Sequence, residues 1–191
     1  MKFANIAIIL SSAMLATPVV AQAPSPAVAT VQAFSDSLIA SMRAGATLSF
    51  AARSARLTPV IDRSFDLPLS TRLAIGPQWS TIAPADQVAL VAAVRRMTIA
   101  EYARNFSSWN GEAISVDARA NVRATDALVR TTVTRRSGSP VILAYRLRQS
   151  GGSWRIIDVL FNGTISQLAT RRSDYARILA SGGARALIRH L

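Results

Sequence analysis

From Val28 onward, apolar residues recur at three- and four-residue spacing through Val31, Phe34, Leu38 and Met42, one stripe along a helix that Gly45 ends. A second helical stretch covers residues 49–63, with Pro59 expected to break it or start a new turn, because proline lacks an amide donor. Phe65-Asp66-Leu67-Pro68-Leu69 leads into a short helix that stops near Gly76-Pro77. The clearest helix opens at Pro84, a favoured first position, with Asp86 in its first turn against the positive end of the helix dipole. It carries Val88, Val91, Met97, Tyr102 and Phe106, with Val94 and Ile99 alongside, and ends before Asn110-Gly111. The period then shortens to two. Residues 112–122 alternate, with Ile114, Val116, Ala118, Ala120 and Val122 on one side. Residues 128–136, 141–148 and 153–161 are three further strands, the last two joined by the hairpin signal Gln149-Ser150-Gly151-Gly152. A helical region over 165–179 follows, then Gly182-Gly183 and a short terminal helix. Helices, four strands and helices again predict an α+β fold: helices packed on one curved, mainly antiparallel four-stranded sheet, a geometry in which a cavity can form between the layers, although the pattern alone does not separate a filled core from an enclosed apolar pocket.

The N-terminus has a different character. Lys2 precedes an almost purely apolar run from Phe3 to Leu15, and small residues end in Val19-Val20-Ala21. Charge, apolar stretch and small-residue site, in that order, form a secretory signal. Cleavage after Ala21 puts Val19 and Ala21 at the small-residue positions and avoids cutting directly before Pro24. Residues 1–21 are therefore expected to be a cleaved signal peptide, and residues 22–191 one domain released into the periplasm. With no cysteine, neither disulfides nor thiolate metal sites can form. Packing alone must hold the fold.

The 22 Lys and Arg against 10 Asp and Glu give +12, which falls by one to +11 when Lys2 leaves with the signal. Such a charge draws a protein towards anionic surfaces, phospholipid head groups included. Nucleic acid is disfavoured as a partner: the chain is exported, and Arg95-Arg96, Arg135-Arg136 and Arg171-Arg172 lie on different elements without interleaved aromatics for stacking on bases. The arginines fit either a membrane-facing role or the base composition of the genome.

Few residues of the chain point to chemistry. The single histidine, His190, stands next to the last residue. With one histidine and no cysteine, zinc and copper sites are not expected, and no nucleophile elbow, phosphate-binding loop or dinucleotide fingerprint is present. No metal and no cofactor is predicted. One group stands out: Asp158 sits within the apolar run Trp154-Arg155-Ile156-Ile157-Asp158-Val159-Leu160-Phe161. A curved sheet roofed by helices makes a cone of the NTF2-like type, which can host an acid beside a tyrosine, here Asp158 with Tyr145 or Tyr102, for proton abstraction from a small apolar substrate. The plainer reading is an aspartate at a bulge or strand edge, paired with Arg146, Arg148 or a backbone amide.

Longer segments carry more information. Phe65-Asp66-Leu67 with Leu73-Ala74-Ile75-Gly76-Pro77-Gln78-Trp79, Pro84-Ala85-Asp86-Gln87, Asn110-Gly111-Glu112, Tyr145-Arg146-Leu147, Gly152-Ser153-Trp154-Arg155-Ile156-Ile157-Asp158-Val159, Asn162-Gly163-Thr164-Ile165-Ser166 and Tyr175-Ala176-Arg177-Ile178-Leu179 follow in one order. In these the chain resembles the MlaC, or toluene-tolerance auxiliary, family of periplasmic phospholipid-binding proteins. Phe106 and Trp109-Asn110-Gly111-Glu112 look closest to its hopanoid-associated branch. Two positions depart from the pattern: Ala83 stands where the family often has a capping serine, and Gly163-Thr164-Ile165-Ser166 replaces a glycine-valine-serine. A missing cap costs about 1 kcal/mol unless Thr81 or water substitutes.

The resemblance implies a carrier without catalytic residues. It would hold a phospholipid or hopanoid by its apolar part and exchange it between an outer-membrane lipoprotein complex and the substrate-binding subunit of an inner-membrane transporter, with transient contact at membrane surfaces. Candidate lipid-binding residues are Ile99, Tyr102, Phe106, Val133, Val141, Leu143, Tyr145, Ile157, Val159 and Phe161. A small-molecule isomerase built on Asp158 and a protein-only adaptor are the rival functions.

Overall fold

Helix α1 (Pro26–Gly45) is followed by α2 (Phe50–Ser64), α3 (Leu67–Ile75), a 3-10 turn (Gly76–Thr81) and α4 (Pro84–Asn105). Strands β1 (Ala113–Val116), β2 (Asn121–Arg123), β3 (Asp126–Thr134), β4 (Val141–Ser150), β5 (Ser153–Phe161) and β6 (Ile165–Ser166) come next, and α5 (Gln167–His190) last. These elements belong to a computed structural model that describes residues 23, 25–45 and 47–191; the expected signal peptide lies outside the described residues. Among the described residues, no helix is long and apolar enough to cross a membrane.

The fold is α+β, with an antiparallel sheet in the order β1-β3-β4-β5-β6 and β2 pairing β3 beside β1. It has six strands where the alternation predicts four. The run over 112–122 breaks into β1 and β2 because the chain leaves the ladder between Val116 and Asn121, and Ala124, at φ 51°, turns it back into β3. Ile165 and Ser166 pair with Phe161 and Leu160 before the last helix begins, so the helix starts two residues later than its apolar pattern suggests. That helix bends at Gly183, whose φ of 66° interrupts it where Gly182-Gly183 predicts a break. Pro59 does not break α2. An interior proline costs about 3 kcal/mol, and here the buried face of Leu57, Val60 and Ile61 outweighs it. The 3-10 turn between α3 and α4 leaves the α4 N-cap, Ala83, with no side-chain hydrogen bond. Thr81 does not substitute, since its hydroxyl donates to the Gln78 carbonyl 2.8 Å away.

The β4–β5 hairpin turns on Gly151 and Gly152, both with positive φ, as a two-residue turn between twisted strands requires. Further along this pair, Arg146 lies opposite Asp158 but Leu147 opposite Ile156, leaving Ile157 as an extra residue. This bulge bends β5 and buries Ile156, Ile157 and Asp158 in succession, which strict alternation forbids.

Two apolar clusters form beneath the helices. One joins α1, α2 and part of α4 to the inner face of the sheet, through Val31, Phe34, Leu38, Leu57, Ile61, Ile99, Val129, Tyr145 and Leu147. The other joins α3, α4 and α5 through Ala74, Ile75, Leu90, Val94, Tyr175, Leu179 and Leu187. Phe34, fully buried, meets Phe65, Tyr102 and Tyr145 edge-on at centroid distances of 5.2, 5.3 and 5.9 Å. Truncating it should therefore cost about 3–5 kcal/mol. Phe34→Ala is expected to lower the urea midpoint accordingly, whereas Val88→Ala, at a position 72% exposed, should stay within about 0.5 kcal/mol. Comparable midpoints would refute this account of the core.

On the outer face, Arg148 and Arg146 both hydrogen-bond Asp126 at 2.7 Å. Hydrogen bonding from Arg148, then Arg146, holds the Asp126 carboxyl down at about 2. An unfolded aspartate titrates near 3.9, so this stabilisation is complete above about pH 4 and is lost as pH falls towards 2. Asp126→Asn should flatten that part of the stability–pH curve; denaturation at pH 5 and pH 2.5 checks it, and an unchanged slope would count against the pair.

Candidate functional site

The two clusters do not meet across the whole interior. Between the inner face of β3, β4 and β5 and a roof of α3, α4 and α5 lies a cavity of about 570 Å³. This lies within the range of roughly 300–1,000 Å³ in which small molecules bind. The strands supply its floor because alternate residues point inward: Val133 from β3, Val141, Leu143 and Tyr145 from β4, and Val159 and Phe161 from β5. The bulge adds Ile157 and Asp158. The roof supplies Leu67, Thr71 and Ala74 from α3, Val94, Thr98, Glu101, Tyr102 and Asn105 from α4, and Leu168, Arg171 and Tyr175 from α5, each set at helical three- and four-residue spacing.

Nine of the ten sequence-derived candidates therefore stand on the wall: Tyr102, Phe106, Val133, Val141, Leu143, Tyr145, Ile157, Val159 and Phe161. Ile99 does not. On α4 the cavity-facing row runs through Thr98, Glu101 and Tyr102, and Ile99 is turned about a quarter of a helical turn away, into the core with Leu57, Val60 and Ile61. The residues missed by sequence reasoning come chiefly from the roof, four each from α3, α4 and α5. Their spacing was visible, but helical periodicity is the same for a side chain against a core and one against a hollow.

The wall is apolar in its strands and polar at selected points of its roof. Phe65, Tyr102, Phe106 and Tyr145 line it with rings, and Tyr102 stacks on Phe106 at 5.5 Å. Burial holds the Tyr102 phenol well above its ordinary value, with Tyr145 adding to the effect, and burial raises Tyr145 and Tyr175 as well. All three phenols are neutral at physiological pH, so the interior acquires no charge from them. Thr98 presents a buried hydroxyl that has no hydrogen-bond partner among the described residues. Glu101 and Arg171 form an ion pair at 2.5 Å that ties α4 to α5 along the wall. Asn105, Ser108, Arg135, Phe161 and Gln167 are exposed and make the rim.

Asp158 is 9% exposed and lies on this wall. Its carboxylate accepts hydrogen bonds from the Ser166 hydroxyl at 2.5 Å and the Leu168 amide at 2.9 Å. Ser166 in turn accepts from the Ala169 amide at 2.9 Å, so the two side chains together satisfy two of the free amides at the start of α5. The bulge and backbone-amide reading of Asp158 describes this arrangement. Arg146 and Arg148 are not its partners, because both lie on the outer face with Asp126. Neither Tyr102 nor Tyr145 hydrogen-bonds it among the described contacts. Among the described residues, no group of three or more His, Cys, Asp or Glu is placed to hold a metal ion.

None of the curated proteins matches this chain. Among solved structures, a phospholipid-binding protein from Ralstonia solanacearum, determined in complex with a phospholipid, matches with a TM-score of 0.76. At 24% identity over 86% of this chain and 93% of that one, the likeness is one of fold. A profile of the MlaC protein family matches residues 32–191, from the middle of α1 through the sheet to the final residue. The chain belongs to the MlaC family.

Proposed function

We propose that this protein is a periplasmic lipid carrier, delivered by a cleaved signal peptide over residues 1–21, that seats the acyl chains of a phospholipid in the cavity and shuttles the lipid between membranes. The observation that carries the proposal is the unfilled, apolar-floored space between sheet and roof. Family membership and the phospholipid held by the Ralstonia solanacearum protein support a phospholipid as cargo, with a hopanoid the other lipid class to be tested. Its exchange partners are proposed to be an outer-membrane lipoprotein complex and the substrate-binding subunit of an inner-membrane transporter.

Two acyl chains hold about 30 methylenes, and at about 0.8 kcal/mol each their exposure to water costs roughly 24 kcal/mol. Free lipid therefore does not cross an aqueous compartment at useful rates. A wall of aliphatic and aromatic side chains offsets most of that cost, which brings exchange between bilayer and cavity close to neutral. Such a carrier needs no energy source and no bond chemistry of its own. The neutral phenols and the internally paired Glu101 and Arg171 add no unpaired charge to the wall, and the Asp158 carboxylate there is held by two hydrogen bonds.

Native mass spectrometry of protein purified from its own cells should show co-purified lipid of one class, and the class names the cargo. Leu143→Arg places a charge on the floor and Val159→Trp fills the hollow with an apolar ring. Each should reduce lipid occupancy by about tenfold or more, equivalent to about 1.4 kcal/mol or more, while circular dichroism remains native. Full occupancy in both folded variants would remove the cavity from the function.

Asp158 is proposed to hold the α5 N-terminus and to take no part in chemistry. Asp158→Ala leaves the Leu168 amide without its partner and should cost about 1–3 kcal/mol. Asp158→Asn keeps an acceptor and should retain both fold and lipid. An Asp158→Asn protein of native stability that no longer carried lipid would contradict this assignment.

A further inference from the structure

Among the described residues, seven large hydrophobic side chains are exposed, and five of them gather at one end of the molecule. The strand pairings define that end. The start of β1 lies beside the end of β3, the start of β4 beside the end of β3, and the end of β5 beside the start of β4 and beside β6. Ile142, Phe161 and Ile165 therefore share it. The segment entering β1 brings Trp109 there, and Arg136 packs against Gly111. The ends of α1 and α4 and the start of α2 join it, because Gly45 abuts the Ser107 backbone and Arg53 donates to the carbonyls of Leu48 and Ala103. Phe50 completes the set, and the five are between 40% and 53% exposed.

Cations alternate with these apolar groups. The Arg43 guanidinium lies 5.1 Å above the Trp109 ring and that of Arg104 lies 5.9 Å from Phe50. Arg135 and Arg136 follow directly on β3. Across residues 43–50, 104–112, 135–142 and 161–165, the sequence holds one carboxylate, Glu112, and its side chain accepts from the Asn110 amide. This same end is where the cavity opens, since Asn105, Ser108, Arg135, Val141 and Phe161 line it there. An exposed apolar group costs free energy in water, and a ring beneath a guanidinium suits the boundary between head groups and acyl chains.

We infer that this end of the molecule docks on the surface of an anionic phospholipid bilayer. Trp109, Phe161 and Ile165 enter the head-group level, and Arg43, Arg104, Arg135 and Arg136 meet lipid phosphates. Basic side chains near an anionic surface attract it and apolar side chains anchor the contact, so both charge and hydrophobicity are matched. The inference rests on the carrier reading for its purpose: docking sets the cavity mouth against the layer from which an acyl chain enters, so the chain passes between two apolar media. A rim of arginines without the exposed rings, or rings without the arginines, would suit a soluble ligand or a protein partner equally well. Rings and arginines also meet at protein interfaces; what favours the bilayer is their place around the mouth of an apolar-floored cavity, almost free of carboxylates.

Flotation of residues 22–191 with vesicles tests the face directly. The protein should float with mixed phosphatidylglycerol–phosphatidylcholine vesicles and only weakly with phosphatidylcholine alone. The double variant Arg135→Gln/Arg136→Gln should weaken binding to the anionic vesicles by about 30-fold. Ile165→Asp should weaken it by about tenfold or more, and Arg185→Gln, on the far part of α5, should leave it unchanged. Leu143→Arg separates this inference from the carrier reading: its cavity is blocked but its rim is intact, so it should float as the parent does while its lipid occupancy falls by about tenfold or more. If Leu143→Arg retains its lipid yet the rim variants lose flotation, the cavity reading fails and the docking face stands. If the rim variants float like the parent, if the parent ignores anionic vesicles, or if Leu143→Arg alone abolishes flotation, the docking face is wrong.

Discussion

Five aromatic rings divide the interior of this protein into a filled half and a hollow half. Phe34 stands at the centre of edge-on contacts with Phe65, Tyr102 and Tyr145, and Tyr102 carries the arrangement on to Phe106 by stacking. On one side, α1 and α2 press aliphatic residues against the group. On the other, Phe65, Tyr102, Phe106 and Tyr145 line the cavity. Rings of this size cannot bend into the space beyond them, so the sheet and roof are held apart instead of collapsing together. Everything proposed for the hollow depends on that partition.

A hollow also needs a roof that does not slide. Polar contacts at its edges provide this where apolar packing cannot, since hydrogen bonds fix direction. Asp158 and Ser166 hold the start of α5, and Ser70 ties α3 to the β5 backbone through the Ile157 carbonyl at 2.9 Å. The Asp66 amide donates to the Ile156 carbonyl at 2.9 Å, next to the bridge between Phe65 and Ile156. Glu101 and Arg171 then join the two long roof helices. Three of these four ties converge on the bulge at Ile156, Ile157 and Asp158, so one irregularity in β5 both curves the floor and anchors the roof. The carboxylate that most resembles a catalytic group accepts two of the hydrogen bonds that anchor this roof.

The molecule is correspondingly polarised. Leu90, Leu179 and Leu187, none of them on the cavity wall, are buried together between α4 and α5. Its open end carries exposed rings and arginines around the cavity mouth. An arginine excess scattered through the sequence becomes, at that end, a local field with little negative charge to cancel it. Hydrophobicity and charge thereby coincide where the interior communicates with the outside.

The sequence by itself determined the helix stripes, the strand alternation, the Gly151-Gly152 hairpin and the family, because each is written in local periodicity, turn chemistry or contiguous residues. It also determined most of the cavity floor: inward-facing strand residues alternate, and Val141, Leu143 and Tyr145 share one face whatever packs against them. The tertiary structure alone decided the rest. A helix has several apolar positions within one broad stripe, and only its neighbours settle whether Thr98 or Ile99 meets the hollow. Asp158 took its role from Ser166 and Leu168, reached only after the chain turned back through β6. Whether apolar side chains fill a space or line it depends on distances between layers, and those distances are set by long-range contacts that no local pattern records.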